Sequence, residues 1–291
     1  MKRHVPPYGV IALASLAAWG WIEPPVRAQQ PDVAAKIQAM VNEAAALPTP
    51  RAAGGHPDLS GYWEVPRPSM PSPSPGVGKD GKVLGPSVAP FSYQGLVRVD
   101  IAANKRIEDP SLRPAYKPEA MARVKENFEK SSLVDPSYRC MPEGVPRIGA
   151  PTEVLQTGDA VYFLYANRNV YRVIPTDGRK HDPDADAMAM GDSIGRWEGD
   201  TLVIDVVNFS PDTWLDMDGA IHDQNLHVIE RLTRRGNTLK YDMTAEDPTL
   251  FEKPFSPRPK TLMLGKAGQH AAEDYPCIEL DQEHLVTHEH H

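Results

Sequence analysis

The sequence predicts a mainly β protein, an antiparallel meander curled into a barrel or half-barrel, with two peripheral helices. Three observations carry this. The 30 prolines among 291 residues are too many for a helical bundle and mark a loop-rich chain. From Val154 onward, strand-forming segments follow one another with short turns and without the helices that parallel crossovers need. Within one segment, TLKYDMTA (238–245), Leu239, Tyr241, Met243 and Ala245 alternate with Thr238, Lys240, Asp242 and Thr244, the period of a strand with one buried face.

Taken in order, Lys2 and Arg3, an apolar run from Gly9 to Ile22, and Val26-Arg27-Ala28 before Gln29 have the layout of a secretion signal over 1–28. The apolar run is short for a membrane helix and polar sequence follows it, so no stable membrane span is expected after cleavage; a retained anchor is the alternative. Cleavage would take the 31 basic and 39 acidic side chains to 28 and 38, a net charge near −10. That balance suits a soluble exported protein, periplasmic or secreted, and argues against nucleic acid or anionic membrane as a partner.

Residues 29–57 read as a helix and linker. PDVAAKIQAMVNEAAAL places Val33, Ile37, Met40, Val41 and Ala44 on one helical face, and PTPRAAGGHP ends it. A single β-rich domain is then expected over 58–283, with DLSGYWEV (58–65) as its first strand. Residues 66–95, rich in Pro, Ser and Gly, predict a long loop. A second helix is expected over 118–130, with Pro118 in its first turn and Met121, Val124 and Phe128 as its buried stripe. Three hairpins follow: 161–166 with 170–174 around Asn167-Arg168-Asn169, 193–197 with 201–209 around Glu198-Gly199-Asp200, and 227–234 with 238–245 around Arg235-Gly236-Asn237. TLVIDVVNF (201–209) is apolar on both faces except at Asp205, the pattern of a central strand. The tail HLVTHEHH (284–291) reads as a frayed end on which His284 and His288 are adventitious metal ligands.

Cys140 and Cys277 are the two cysteines. In an oxidising compartment they are expected to pair; two buried thiols are the alternative, and neither has an activating base nearby in sequence.

GDSIG (191–195) matches the G-x-S-x-G signature of a serine nucleophile, which requires a strand before it and a helix after it. Acidic, turn-prone HDPDADAMAM precedes it and strand-forming sequence follows, so Ser193 reads as a strand-entry residue. Asp182, Asp184 and Asp186 resemble a calcium loop, but Ala187 and Ser193 stand where its glycine and bidentate glutamate belong.

IHDQNLHVIER (221–231) gathers His222, His227, Glu230 and Arg231 at a strand entry. His227, Ile229 and Arg231 share one face of that strand; Val228, Glu230 and Leu232 share the other. A buried His beside an Arg suits binding of an anionic or carbonyl group, or proton transfer near neutral pH. His181, His222 and His227 are candidate zinc or copper ligands. The structural alternative has Glu230 and Arg231 in cross-strand ion pairs and the histidines at the rim. Tyr162, Tyr165 and Arg172 lie on the first hairpin, where one tyrosine faces inward. No pattern selects a cofactor or an oligomeric state.

The Gly61-x-Trp63 strand resembles the opening strand of lipocalin-type barrels, where the Trp closes one end; it implies a lipocalin-like barrel. A larger resemblance is to a group of exported bacterial proteins. Its motifs fall here on Asp58 to Trp63, Cys140 to Pro146, Asp177 to Arg179, Ser193 to Val203, Glu230-Arg231 and Cys277 to Glu279. That resemblance implies export and a β-rich fold and transfers no catalytic residue.

The leading expectation is a barrel that binds a small, largely apolar molecule, with Trp63, Tyr162, Tyr165, Arg172, His227 and Arg231 lining its cavity. The rival is a lyase, isomerase or hydrolase with His222 or His227 as proton shuttle and Arg231 stabilising an oxyanion. A third reading is an envelope interaction protein that uses the Pro-rich stretch.

Overall fold

The computed structural model describes residues 30–67, 76–77, 83–84, 112–274 and Cys277. The expected secretion signal, most of the Pro-rich stretch 66–95, and the tail with His284 and His288 lie outside the described residues.

Helix α1 (Gln30–Ala45) precedes strand β1 (Gly61–Glu64), and β2 (Gly76–Val77) pairs with β3 (Val83–Leu84) apart from the main sheet. Helices α2 (Pro118–Glu129) and α3 (Ser131–Val134) follow. Then come β4 (Glu153–Gln156), β5 (Ala160–Leu164), β6 (Tyr171–Pro175), β7 (Asp192–Glu198), β8 (Thr201–Val207), β9 (His227–Arg235), β10 (Thr238–Glu246) and β11 (Lys260–Leu264). The three expected hairpins are β5/β6, β7/β8 and β9/β10, all antiparallel.

Nine strands form one sheet in the order β6-β5-β4-β1-β11-β10-β9-β8-β7, each antiparallel to its neighbours. β1 lies between β4 and β11 and so joins two meanders, β4 to β6 and β7 to β11. The two end strands, β6 and β7, are consecutive in the chain, and the sheet curls until they meet. At this seam side chains touch instead of backbones: a Cβ added to Gly195 on β7 would stand 3.0 Å from Ile174 on β6 and 2.9 Å from Thr176 just beyond it. The result is a nearly closed barrel.

Period-two alternation decides what fills it. Trp63, Val154, Phe163, Ile174, Leu202, Ile204, Val228, Leu232 and Leu239 are buried together in one cluster. Each such side chain contributes about 1.5–3 kcal/mol by leaving water, and together they leave the barrel packed. Trp63 Nε1 donates to the Leu59 carbonyl at 2.9 Å, while the Arg234 guanidinium covers its ring at 5.2 Å.

The helices lie outside. The carbonyl of Ala44 in α1 accepts from Asn237 N at 2.9 Å, seating the helix on the β9/β10 turn. There Gly236 has φ +53°, and any Cβ would meet the Ala44 carbonyl at 2.4 Å. α2 buries Val124 completely and half-buries Met121 and Phe128, packing on the 213–221 loop. Cys140 and Cys277 form a disulfide with Cα atoms 5.6 Å apart and a sequence separation of 137, which stabilises the fold by up to ~5 kcal/mol in the chain-entropy picture.

Candidate functional site

The residues singled out from the sequence do not converge on one cavity. Trp63, Tyr165 and Arg172 are buried in the packed interior. His227, Ile229 and Arg231 form the outer face of β9, and Val228, Glu230 and Leu232 the inner one. Tyr162 is half-buried on the outer side of β5. His222 is buried in the loop before β9, where Nδ1 donates to the Asp223 carbonyl at 2.9 Å and Nε2 accepts from the Thr213 hydroxyl at 2.8 Å. Burial holds its imidazole below the ordinary histidine value, so it is neutral and both nitrogens are used.

His181 and His227 do meet. Their Nε2 atoms lie 3.2 and 3.0 Å from the same Asp205 Oδ1, and His181 Nδ1 lies 2.7 Å from Asp192 Oδ2. His222 has no part in this. Among the described residues no group of three or more His, Cys, Asp or Glu side chains is arranged to hold a metal ion.

The interior holds an ion pair that spans the barrel. Arg172 on β6 donates to Glu230 on β9 through Nη2 to Oε2 at 2.7 Å and Nη1 to Oε1 at 3.2 Å. Nη2 also reaches Ser193 Oγ at 2.9 Å, Nη1 reaches the Tyr165 hydroxyl at 3.3 Å, and the Tyr241 hydroxyl donates to Glu230 Oε1 at 2.7 Å. Burial works against the charge on Arg172, but Glu230 outweighs it and raises the guanidinium above its usual range. Burial, with Glu230 adding to it, pushes the Tyr165 phenol up to about 12 and Tyr241 well above its usual value. Both phenols therefore stay protonated. Through Ser193 the pair also ties β6 to β7 across the seam.

This accounts for GDSIG. Ser193 lies within β7 and accepts from Arg172, with no helix after it. Gly191 is at φ +66°, where a Cβ would stand 2.8 Å from both Val206 Cγ1 and the Val207 carbonyl. The glycine is required by the turn into the strand and not by a nucleophile.

Open space lies at one end of the barrel. A cleft of about 500 Å³ is lined by the inward-facing Tyr241 and Met243 of β10 and by the loops carrying Pro146, Leu215, Met217 and Phe255. Its charged borders are Arg113, Arg147, Arg258 and Lys260, against Glu143, Asp216 and Asp218. Arg147 is occupied by Asp135, with two contacts of 2.8 Å, and by Ser137 at 2.9 Å. Asp216 Oδ1 accepts from the backbone of Asp218 and Ala220. Burial pushes the Asp216 carboxyl up, with Arg113 pulling the other way.

Arg113 differs from these neighbours. It is 2% exposed, and Nη2 lies 3.4 Å from the Asp218 carbonyl and 3.6 Å from Asp216 Oδ2. Its Nε and Nη1 have no hydrogen-bond partner. A second opening, of about 750 Å³, adjoins through Arg113, Met243 and Phe255 and reaches outward to Arg231. Sequence reasoning passed over Arg113 because SLRPAYKP has neither a period nor a motif, so no signal there marked it. Comparison of the chain with protein-family models, curated proteins and solved structures gave no match.

Proposed function

We propose that this is an exported binding protein that holds a small, largely apolar molecule in the cleft at the end of its barrel. The observation that carries the reading is the cleft itself, about 500 Å³ with mainly apolar walls from Leu215, Met217, Met243 and Phe255, within the size range of small-molecule sites. Because side chains fill the barrel, the ligand sits at the mouth and not in a deep interior cavity. Export is supported by the Cys140–Cys277 disulfide, a bond that persists in oxidising compartments. No helix among the described residues is long and apolar enough to cross a membrane. For the enzyme alternative, His222 has no free ring nitrogen and His227 lies on the outer face, away from the cleft lining.

The test is titration with an uncharged apolar dye such as Nile red. One saturable site is expected, with Met243→Trp, which fills the cleft, weakening it at least about tenfold, or ~1.4 kcal/mol. Absence of saturable binding, or binding indifferent to Met243→Trp, overturns the proposal. Native mass spectrometry of protein purified from its own host would identify the molecule that it carries.

A further inference from the structure

We infer that the cleft's ligand carries a carboxylate and that Arg113 receives it, an inference that rests on the cleft being the binding site. Among the fully buried side chains of the described residues Arg113 is the largest, and it is charged. A buried guanidinium is expected to have its N–H groups satisfied, because an open donor removed from water keeps its desolvation cost with nothing to offset it. Arg113 does not meet that expectation. Its contacts to the Asp218 carbonyl at 3.4 Å and Asp216 Oδ2 at 3.6 Å both involve Nη2, while Nε and Nη1 are unpartnered. Each edge of the guanidinium, Nη1 with Nη2 and Nε with Nη2, therefore retains an unused N–H.

The half-buried Arg147 and the buried Arg172 show what satisfaction looks like here. Arg147 is clamped by both oxygens of Asp135. Arg172 also has an unpartnered Nε, but both its Nη atoms serve Glu230 and it lies outside the cleft lining. Among the described residues, Arg113 alone combines buried, unpartnered donors with a place on the cleft wall.

The chemistry of the acceptor follows from the donor. A planar fork beside apolar walls fits a planar anion with two coplanar oxygens joined to a hydrocarbon body. The remaining charges allow it: with Arg147 paired to Asp135, the cations Arg113, Arg258 and Lys260 match Glu143, Asp216 and Asp218, so the cleft border is locally balanced on a protein whose net charge is −8. Asp216 brings its carboxylate to 3.6 Å from Arg113 Nη2, and an incoming carboxylate displaces this weak pairing.

The experiment compares dodecanoate, dodecanol and acetate by calorimetry, below micellar concentrations, on the wild type, Arg113→Gln and Arg113→Lys. On the wild type, which needs no variant to fold, dodecanoate should bind at least about tenfold more tightly than dodecanol, the scale of a charge-assisted hydrogen bond. Arg113→Gln should reduce dodecanoate to the affinity of dodecanol and leave dodecanol unchanged, and Arg113→Lys should fall between. Acetate should bind weakly, because it lacks the apolar body. Equal affinity of dodecanoate and dodecanol on the wild type overturns the inference and leaves the cleft reading standing. Loss of both ligands in a folded Arg113→Gln protein makes Arg113 part of the wall and also overturns it. Failure of every probe to bind the wild type removes the cleft reading itself.

Discussion

Removing Glu230 should loosen the barrel, and the expected size follows from its contacts. Arg172 and Glu230 side chains are 2% and 0% exposed, so Glu230→Ala leaves a guanidinium buried without its carboxylate. Breaking such a pair costs about 3–5 kcal/mol. The Tyr241 hydroxyl loses its acceptor as well, adding about 1 kcal/mol or more. Against a urea slope of about 3 kcal/mol per M, the pair alone moves the unfolding midpoint down by about 1–1.7 M. Replacing both partners with apolar residues, Arg172→Met with Glu230→Leu, should cost less than Glu230→Ala, since no charge is then left behind. Denaturation followed by tryptophan fluorescence, with the disulfide intact, gives all these midpoints. If Glu230→Ala shifts the midpoint by less than about 0.3 M, or if the two single losses simply add in the double variant, the ion pair does not hold β6 against β9 and the seam has another cause.

Further outcomes test the rest of the structure. His222 has a folded-state pKa below its ordinary 6.5 because it is buried; its contribution is therefore fully present above that value and is lost as pH falls through it, when the unfolded chain takes the proton first. Stability measured from pH 7.5 to pH 5 should fall less steeply in His222→Gln than in the wild type, and parallel profiles would contradict this. Gly191→Ala puts a side chain at φ +66° and 2.8 Å from Val206, and should lower stability by about 2–4 kcal/mol from backbone and packing strain together. Reduction, or joint Cys140→Ala and Cys277→Ala, should cost about 2–5 kcal/mol in the same assay. Arg113→Met should leave stability within about 1 kcal/mol of wild type, since the open donors go with the charge; a loss above about 3 kcal/mol would make Arg113 a structural residue.

The alternation of apolar and polar residues by itself determined the strands, the three hairpins and the strand nature of Ser193, because a period of two and turn chemistry are local properties of the chain. The same pattern in HVIERLTR yields two faces that both carry charge, Glu230 and Arg234 on one and Arg231 on the other. Nothing local says which face is inside. That was decided by Arg172, 58 residues earlier in the chain, which meets Glu230 only once the sheet has curled; Glu230 then goes inward and carries His227 and Arg231 to the outer face. The same long-range closure placed β1 between β4 and β11. It also gathered Arg113 with Tyr241, Met243 and Phe255 around one cleft. Arg113 lies in a stretch without periodicity, and its open donors became a feature only when tertiary packing buried them. Strand identity is written residue by residue; the inside of the barrel and the site at its mouth exist only when distant segments pair their charges and bury their apolar faces together.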